Sequence, residues 1–424
     1  MNKKRFILCL TIVFFAVSLL GSSCQEQPHE FRPFNRPALN ILATNITANL
    51  NAPTPATTPV ETEFIQSTLD FSIDLFKRSF LQDSNILVSP LSVMLALAMT
   101  ANGADGQTLS QMEDVLANGM SIDRVNSNLF SYRASLESCP NSILEIANSI
   151  WIRNNIRPHI NDDFLKTNKS FFDACAFSAP FNAQTVSDIN NWVSHNTFGM
   201  IDRVIESIGA DNIMYLINTI AFYAEWEARF GGIHKRDFVG VNSNTQSVDF
   251  MHGSSNQMIS GSNFTGFIKP YLNNQYSFVA LLPNWGTSIS TLVASLTGER
   301  FKNAFNRAWR EPVEIIMPKF EFDFNTSLVP VLNSMGIVDA FNLGAADFSK
   351  MSPAPLGIHI GDILHNTFIS VDEAGTRAAA ATTVVMVSCA AERPWQITLD
   401  RPFVFAIMDN LRGVPLFLGT LLNV

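Results

Sequence analysis

Three residues in the second half of the chain have the chemistry of a thiol protease. Cys389 could act as a nucleophile, His365 as its base and Asn218 as the group that orients the base. The sequence around them does not support this arrangement, because it contains no Cys-Gly-x-Cys-Trp context. The motifs His-Glu-x-x-His, Gly-x-Ser-x-Gly and the P-loop are absent as well. We therefore do not predict an enzyme.

A stretch of small and β-branched residues, 371–387, is the most informative part of the sequence. It reads Val-Asp-Glu-Ala-Gly-Thr-Arg-Ala-Ala-Ala-Ala-Thr-Thr-Val-Val-Met-Val. The alanine run favours a helix, but Gly375 before it, the β-branched residues 382–385 after it and Pro394 further on favour a strand. Small side chains would let such a strand enter between two existing ones, with Arg377 on its exposed face. The opposite face could be buried and contains Thr376, Ala378, Ala380, Thr382, Val384 and Met386.

Helix and strand signals in the rest of the chain predict the domain to which this stretch belongs. Ser89 and Pro90 form a helix start, and the apolar run that follows ends near Asn102. Thr108 and Gln111 have the spacing of a capping box. Helical patterns dominate 62–135 and 185–208, whereas strand patterns lie at 214–226, 278–283, 313–322, 401–408 and 415–420. The sequence predicts a mixed α+β domain without internal repeats.

Two of these segments carry a resemblance to a known family. Residues 85–112, which include Gly-Ala-x-Gly-x-Thr at 103–108, are similar to the serpin signature around the second helix, and 371–387 resembles the hinge of a serpin reactive loop. The resemblance extends from about Glu63 to Val424. It implies one serpin domain over 63–424, with three β-sheets, eight or nine helices and an exposed reactive-centre loop.

The resemblance also implies three clusters that govern loop insertion. A shutter beneath the opening of the main sheet would act as a latch, because histidine and asparagine can both donate and accept hydrogen bonds. A breach would lie where the loop enters, and its Lys–Glu pair would matter by position, since an exposed ion pair contributes only about 0–1 kcal/mol. The implied residues are Ser89, Ser92, Asn218 and His365 in the shutter, Trp226, Lys319 and Glu373 in the breach, and Glu373, Gly375, Thr376, Ala378, Ala380 and Thr382 in the hinge.

The reactive bond follows from the spacing that is usual in the family. Sixteen positions after the hinge glutamate comes Cys389, with Ala390 on the leaving side. Counting back from Pro402 gives Ala391 instead, so the distal part of the loop is about two residues longer than usual. A small residue at this position is typical of elastase-like serine protease targets, or of papain-like cysteine proteases that read Val387. Arg393 would suit a trypsin-like enzyme.

The resemblance therefore predicts a monomeric suicide inhibitor whose partners are proteases and which needs no cofactor. After cleavage, the freed loop would insert into the main sheet and carry the protease to the opposite pole before the acyl-enzyme hydrolyses. The alternative is a non-inhibitory serpin that acts as a binding module. Such members usually have bulky, charged or proline residues on the inserting face, and residues 376–386 do not.

The first 62 residues have the pattern of an export signal and a tether. Three positive charges precede an apolar run, and small residues precede Cys24, so we expect a signal peptide over 1–23. Cys24 would be the lipidated residue of a bacterial lipoprotein, exposed to the periplasm or the cell surface. Gly21 departs from the usual lipobox, and ordinary cleavage with release is the alternative. Residues 24–62 predict a disordered tether, although the apolar residues 39–42 could pack on the domain.

Charge and cysteine content exclude other classes of protein. The net charge is −9, or −12 without the three positive charges of the first five residues. The sequence has no basic cluster that would indicate nucleic-acid binding. Once Cys9 and Cys24 are set aside, Cys139, Cys175 and Cys389 remain. They form no disulfide framework and have no metal-ligand spacing. Pairing of Cys139 with Cys175 is the alternative to free thiols.

Overall fold

Helices dominate the first third of the domain. The computed structural model describes residues 36–136, 142–354, 356–376 and 395–424, which belong to one compact unit. The α-helices in these ranges are α1 Thr62–Ser79, α2 Pro90–Ala101, α3 Gly106–Ala117, α4 Ile122–Ser135, α5 Asp162–Phe172, α6 Ala183–Asn196, α7 Ile289–Ser295, α8 Gly298–Asn306 and α9 Val329–Met335. None of them is long and apolar enough to span a membrane.

The buried helix α2 begins and ends as predicted. Ser89 caps it by accepting a hydrogen bond from Ser92 N, Pro90 occupies the first turn, and Asn102 is the C-cap. The predicted capping box is wrong, because α3 already begins at Gly106. Its side chains serve a tertiary role instead: Thr108 Oγ1 accepts from Asp347 N, and Gln111 Oε1 accepts from two backbone N–H groups at 338–339.

Seventeen strands lie in the described ranges. They are β1 Thr44–Asn45, β2 Ile86–Val88, β3 Ser142–Arg153, β4 Cys175–Ala179, β5 Met214–Glu225, β6 Gly231–Val239, β7 Thr245–Ser255, β8 Met258–Ser260, β9 Phe264–Pro270, β10 Tyr276–Pro283, β11 Val313–Pro318, β12 Phe320–Ser327, β13 Leu364–Val371, β14 Gly375–Thr376, β15 Trp395–Thr398, β16 Phe403–Asp409 and β17 Val414–Leu421. The strand predictions at 214–226, 278–283, 401–408 and 415–420 are confirmed.

The strands form three sheets, as predicted. The main sheet has the order β1-β4-β3-β5-β14-β13-β12, the second sheet β2-β17-β16-β10-β9-β8, and the third sheet β15-β11-β7-β6. All residues of β10, β16 and β17 are buried, because these continuous apolar strands lie in the core. With nine α-helices in the described ranges, this is the predicted α+β architecture; the loop 377–394 lies outside them.

Two predicted elements differ from the structure. The pattern at 313–322 is two strands in different sheets, since Pro318 ends β11 and the chain passes at Lys319 from the third sheet to the main sheet. The helical pattern at 185–208 ends at Asn196, and Gly199 then adopts a positive φ of 71° that continues no helix.

The described part of the predicted tether, residues 36–61, packs on the domain. The backbone N–H groups of Leu42 and Ala43 donate to the buried Asp188 carboxylate of α6 at 3.1 and 2.9 Å. β1 then adds to the edge of the main sheet beside β4. The prediction of disorder is therefore corrected for residues 36–61, because partners elsewhere in the fold bind several of their backbone groups.

Candidate functional site

The beginning of the hinge lies inside the main sheet. In β14, Gly375 pairs with Glu225 of β5, while Thr376 pairs with Ala224 of β5 and Val371 of β13. A Cβ atom at Gly375 would lie 2.2 Å from the Ala224 carbonyl oxygen, so this close approach requires glycine. The predicted hinge residues Ala378, Ala380 and Thr382 lie outside the described residues, as do Cys389, Ala390 and Ala391.

Beyond β14 the two central strands of the main sheet diverge. β5 pairs with β3 along its length and with β14 at its last two residues, and β13 pairs with β12 and, at Val371, with β14. A cleft of about 680 Å³ separates residues 214–219 of β5 from residues 364–366 of β13. The hinge therefore ends in the main sheet about five residues short of this cleft, since the cleft reaches Thr219 and Asn366, whereas Thr376 pairs with Ala224 and Val371.

The four predicted shutter residues lie together below this cleft. Ser89 N donates to Nε2 of His365 at 3.1 Å, and the Ser92 hydroxyl donates to Oδ1 of Asn218. The network continues through Asn148, which sequence reasoning missed: Asn218 Nδ2 donates to its Oδ1 at 2.8 Å. An asparagine within the apolar strand pattern of β3 was the available signal, since asparagine is depleted in strands. The network connects α2 with β3, β5 and β13.

His365 is neutral in this network. It is 5% exposed, and burial lowers its pKa to about 4. Because Nε2 accepts the Ser89 N–H, the ring carries its proton on Nδ1. The residue that a thiol protease would need as a base is thus engaged with the α2 cap.

The breach residues hold the segment just before β14. Lys319 forms an ion pair with Glu373; burial raises the pKa of this carboxyl, but hydrogen bonds, chiefly from Lys319, and the lysine charge outweigh it and leave the pKa below its ordinary value. The indole Nε1 of Trp226 donates to Asp372 O at 2.9 Å, and its backbone N–H donates to Ala374 O at 3.0 Å. Three consecutive residues, 372–374, are therefore fixed at the entrance to the main sheet.

Sequence reasoning missed two further residues at this point. The ring of Tyr271 stacks on Trp226 at 4.5 Å, and its hydroxyl hydrogen-bonds to that of Thr376. Lys269 is 1% exposed; its ammonium group donates to Ser254 O at 3.0 Å and lies 4.3 Å from the centre of the Phe230 ring. Burial lowers the pKa of Lys269 to about 8. A lysine within the apolar pattern of β9 was the available signal.

The described residues contain no group of three or more His, Cys, Asp or Glu side chains that could hold a metal ion. Cys175 forms no disulfide with a described residue, and burial raises the pKa of its thiol. Cys139 lies outside the described residues. The thiol pairing therefore stays an open alternative.

A three-sheet domain with a hinge that enters a parted main sheet defines the class of protein. The profile of the family described as "Serpin (serine protease inhibitor)" matches residues 66–424, most of the chain. The chain therefore belongs to the serpin family, whose members are generally protease inhibitors rather than catalysts.

Solved structures and relatives agree with this assignment. The thermophilic serpin tengpin in its native state is 42% identical with a TM-score of 0.85, over 90% of this chain and 100% of that chain. The latent state of tengpin is 41% identical with a TM-score of 0.78, over 87% of this chain and 100% of that chain. Human neuroserpin is 28% identical over 385 residues, 84% of this chain and 91% of the relative.

Proposed function

We propose that this protein is a suicide inhibitor that traps proteases by inserting its cleaved loop between β5 and β13. The observation that carries the proposal is β14: both of its residues pair with β5, Thr376 also pairs with β13, and a cleft separates those two strands further along the direction in which the chain would continue. An edge that accepts an extended segment gains a backbone ladder as well as side-chain contacts.

The register of β14 defines how the strand would continue. Extended along β5 from the Thr376–Ala224 pair, it would reach Met214 after ten further residues, at position 386. Along β13 it would reach Leu364 after seven, at position 383. Every second side chain after Thr376 would face the second sheet, where Tyr271 receives Thr376. The residues at 378, 380 and 382 are small enough for that buried face.

The proposed reaction begins as ordinary proteolysis. The serine or cysteine nucleophile of the target adds to the carbonyl of Cys389, the bond to Ala390 breaks, and the new amine leaves with Ala390 while the acyl group stays on the enzyme. Insertion then moves the acylated enzyme before water completes hydrolysis. An inserted strand adds roughly ten backbone hydrogen bonds, each contributing about 0.5–1.5 kcal/mol net.

The small residue at position 389 supports targets of the elastase-like serine or papain-like cysteine class. The second site, Ala391, is also small and selects the same enzymes. A trypsin-like target would instead cut after Arg393. The mass of the C-terminal fragment distinguishes these positions.

The test is a panel of elastase-like, papain-like and trypsin-like proteases mixed with the domain and analysed on denaturing gels. We expect a denaturant-resistant 1:1 complex with at least one elastase-like or papain-like enzyme. Clean cleavage of the loop by every enzyme, without a high-mass band, would refute the proposal. That outcome would favour the non-inhibitory alternative, a serpin that acts as a binding module.

A further inference from the structure

Tyr271 touches the hinge from the second sheet. It directly follows β9, is fully buried, and shares a hydrogen bond between its hydroxyl and that of Thr376, the last residue of β14. Thr376 is itself 3% exposed. The bond thus joins two buried hydroxyl groups across the space between the main and second sheets.

Tyr271 is rigid. Its ring stacks on the indole of Trp226 with an interplanar angle of 9°, and the edge of Phe222 meets it at 5.3 Å between ring centres. Its backbone N–H donates to Tyr276 O at 3.0 Å. These contacts fix the position of the hydroxyl that meets Thr376, and the stack on the breach residue Trp226 is one of them.

We propose that Tyr271 is a positioning residue for loop insertion, whose hydroxyl holds Thr376 in the main sheet before any protease acts. Insertion then extends a strand that has already begun. This inference rests on the proposed function, because the strand in question is the reactive loop.

The physical reason is the order in which a strand gains and loses free energy. The first residues to enter a cleft lose conformational freedom before a ladder compensates them, whereas later residues add one pair at a time. If the hinge is already docked, this first step is complete before cleavage. The whole interval before hydrolysis of the acyl-enzyme is then available for the rest of the insertion. A hinge released from Tyr271 must dock again first.

Two substitutions test the bond with little change of shape. Tyr271→Phe keeps the ring stack and removes one hydroxyl; Thr376→Val keeps the β-branch and removes the other. For each we expect about a 2- to 10-fold rise in the number of inhibitor molecules cleaved per complex formed, the range that the loss of one hydrogen bond gives. The rate of loop cleavage should stay at the wild-type value. The double variant should be no worse than either single one, because both remove the same interaction.

Tyr276→Phe is the matched control. Tyr276 is also buried, in the same sheet, but its hydroxyl donates to Leu136 O at 2.8 Å rather than to the hinge. It should lower the melting temperature and leave the stoichiometry of inhibition unchanged. A wild-type stoichiometry for Tyr271→Phe would overturn the proposal. So would a double variant whose rise in stoichiometry equals the product of the rises in Tyr271→Phe and Thr376→Val.

A second readout separates this inference from the proposed function. In the intact protein without any protease, a double-mutant cycle on the unfolding midpoint should give a favourable coupling between Tyr271 and Thr376. A coupling of zero overturns the docked hinge even if inhibition is normal. A wild-type protein that forms no complex with any protease refutes the inhibitor function. A favourable coupling between Tyr271 and Thr376 would still support the docked hinge in that case.

Discussion

Lys269 places a positive charge where water does not reach it. Its ammonium group contacts one backbone carbonyl and lies over the rings of Phe230 and, at 5.7 Å, Trp226. The same two residues bind the hinge carbonyls at 373 and 374 through their backbone N–H groups. Cation–π contacts compensate part of the lost hydration, yet burial lowers the pKa to about 8, so the charged form is less favourable in the folded protein than in water.

We predict that Lys269→Met stabilises the intact protein at pH 7 and changes its pH dependence. In the wild type the unfolded chain binds a proton at Lys269 up to its ordinary pKa of 10.5, whereas the folded chain loses it above about 8. The free energy of unfolding should therefore rise with pH between those values. Denaturant titrations at pH 7 to 10.5 should show this rise, and the Met variant should lack the part due to residue 269.

Lys350→Met is the control for that prediction. Lys350 forms an ion pair with Asp105 in which both side chains are half exposed, so its removal should change the free energy of unfolding very little. Identical pH profiles for the wild type and the Lys269→Met variant would contradict the assignment of a dehydrated charge.

At the scale of single elements, the hinge and its two neighbouring strands decide which side chains become buried. Because Thr376 faces Tyr271, Arg377 would face the opposite side of the sheet if the strand continued through it. We predict that Thr376→Arg converts the inhibitor into a substrate, since an uncompensated charge on the buried face opposes insertion by several kcal/mol. Arg377→Glu should leave inhibition nearly unchanged. Equal loss of inhibition in both variants would mean that the register is shifted by one residue.

The sequence could predict elements whose signal is local. The cap at Ser89, the apolar run of α2 and the strand from Met214 follow from propensity and periodicity, and the clustering of the shutter residues followed from motif resemblance. It could not predict where Pro318 separates two strands into different sheets. It also could not predict Tyr271, because a tyrosine directly after an apolar strand looks the same whether or not a partner from another sheet meets its hydroxyl.

The prediction of a disordered tether was wrong for residues 36–61 for the same reason, on a larger scale. Their composition is that of a tether, and they form almost no regular structure of their own. They are held by side chains from distant elements, such as Asp188 of α6 and Lys169 of α5, which donates to the carbonyls of Thr47 and Leu50. Composition cannot reveal such partners.

For the whole molecule we predict a large rise in thermal stability after loop cleavage. Cleavage after Cys389 should free residues 390–424 as a 35-residue fragment in denaturant; cleavage after Ala391 would give 33 residues and after Arg393 31. Insertion adds a complete strand between β5 and β13, so the cut protein should melt far above the intact one. Mass spectrometry and calorimetry measure both quantities. A cut loop with an unchanged melting temperature would contradict insertion.

We also propose that the chain is anchored to a membrane through a lipid on Cys24, supported by the sequence before it. Cys24→Ser should move the protein from the membrane fraction to the soluble fraction, because it removes the thiol that carries the lipid. Labelled fatty acid should enter the wild type and not the variant. A wild type that takes up no label would contradict the lipid anchor.

The central position of β16 and β17 has a consequence for what cleavage produces. Both strands follow the loop in sequence, and every residue in them is buried in the second sheet. Cleavage would therefore turn the protein into two polypeptides that remain a single folded body, with the shorter one as an internal subunit. Gel filtration would register no loss of mass, and the break would become visible only when the protein is unfolded. An inhibitor that is cleaved without trapping its protease would thus keep the size of an intact one.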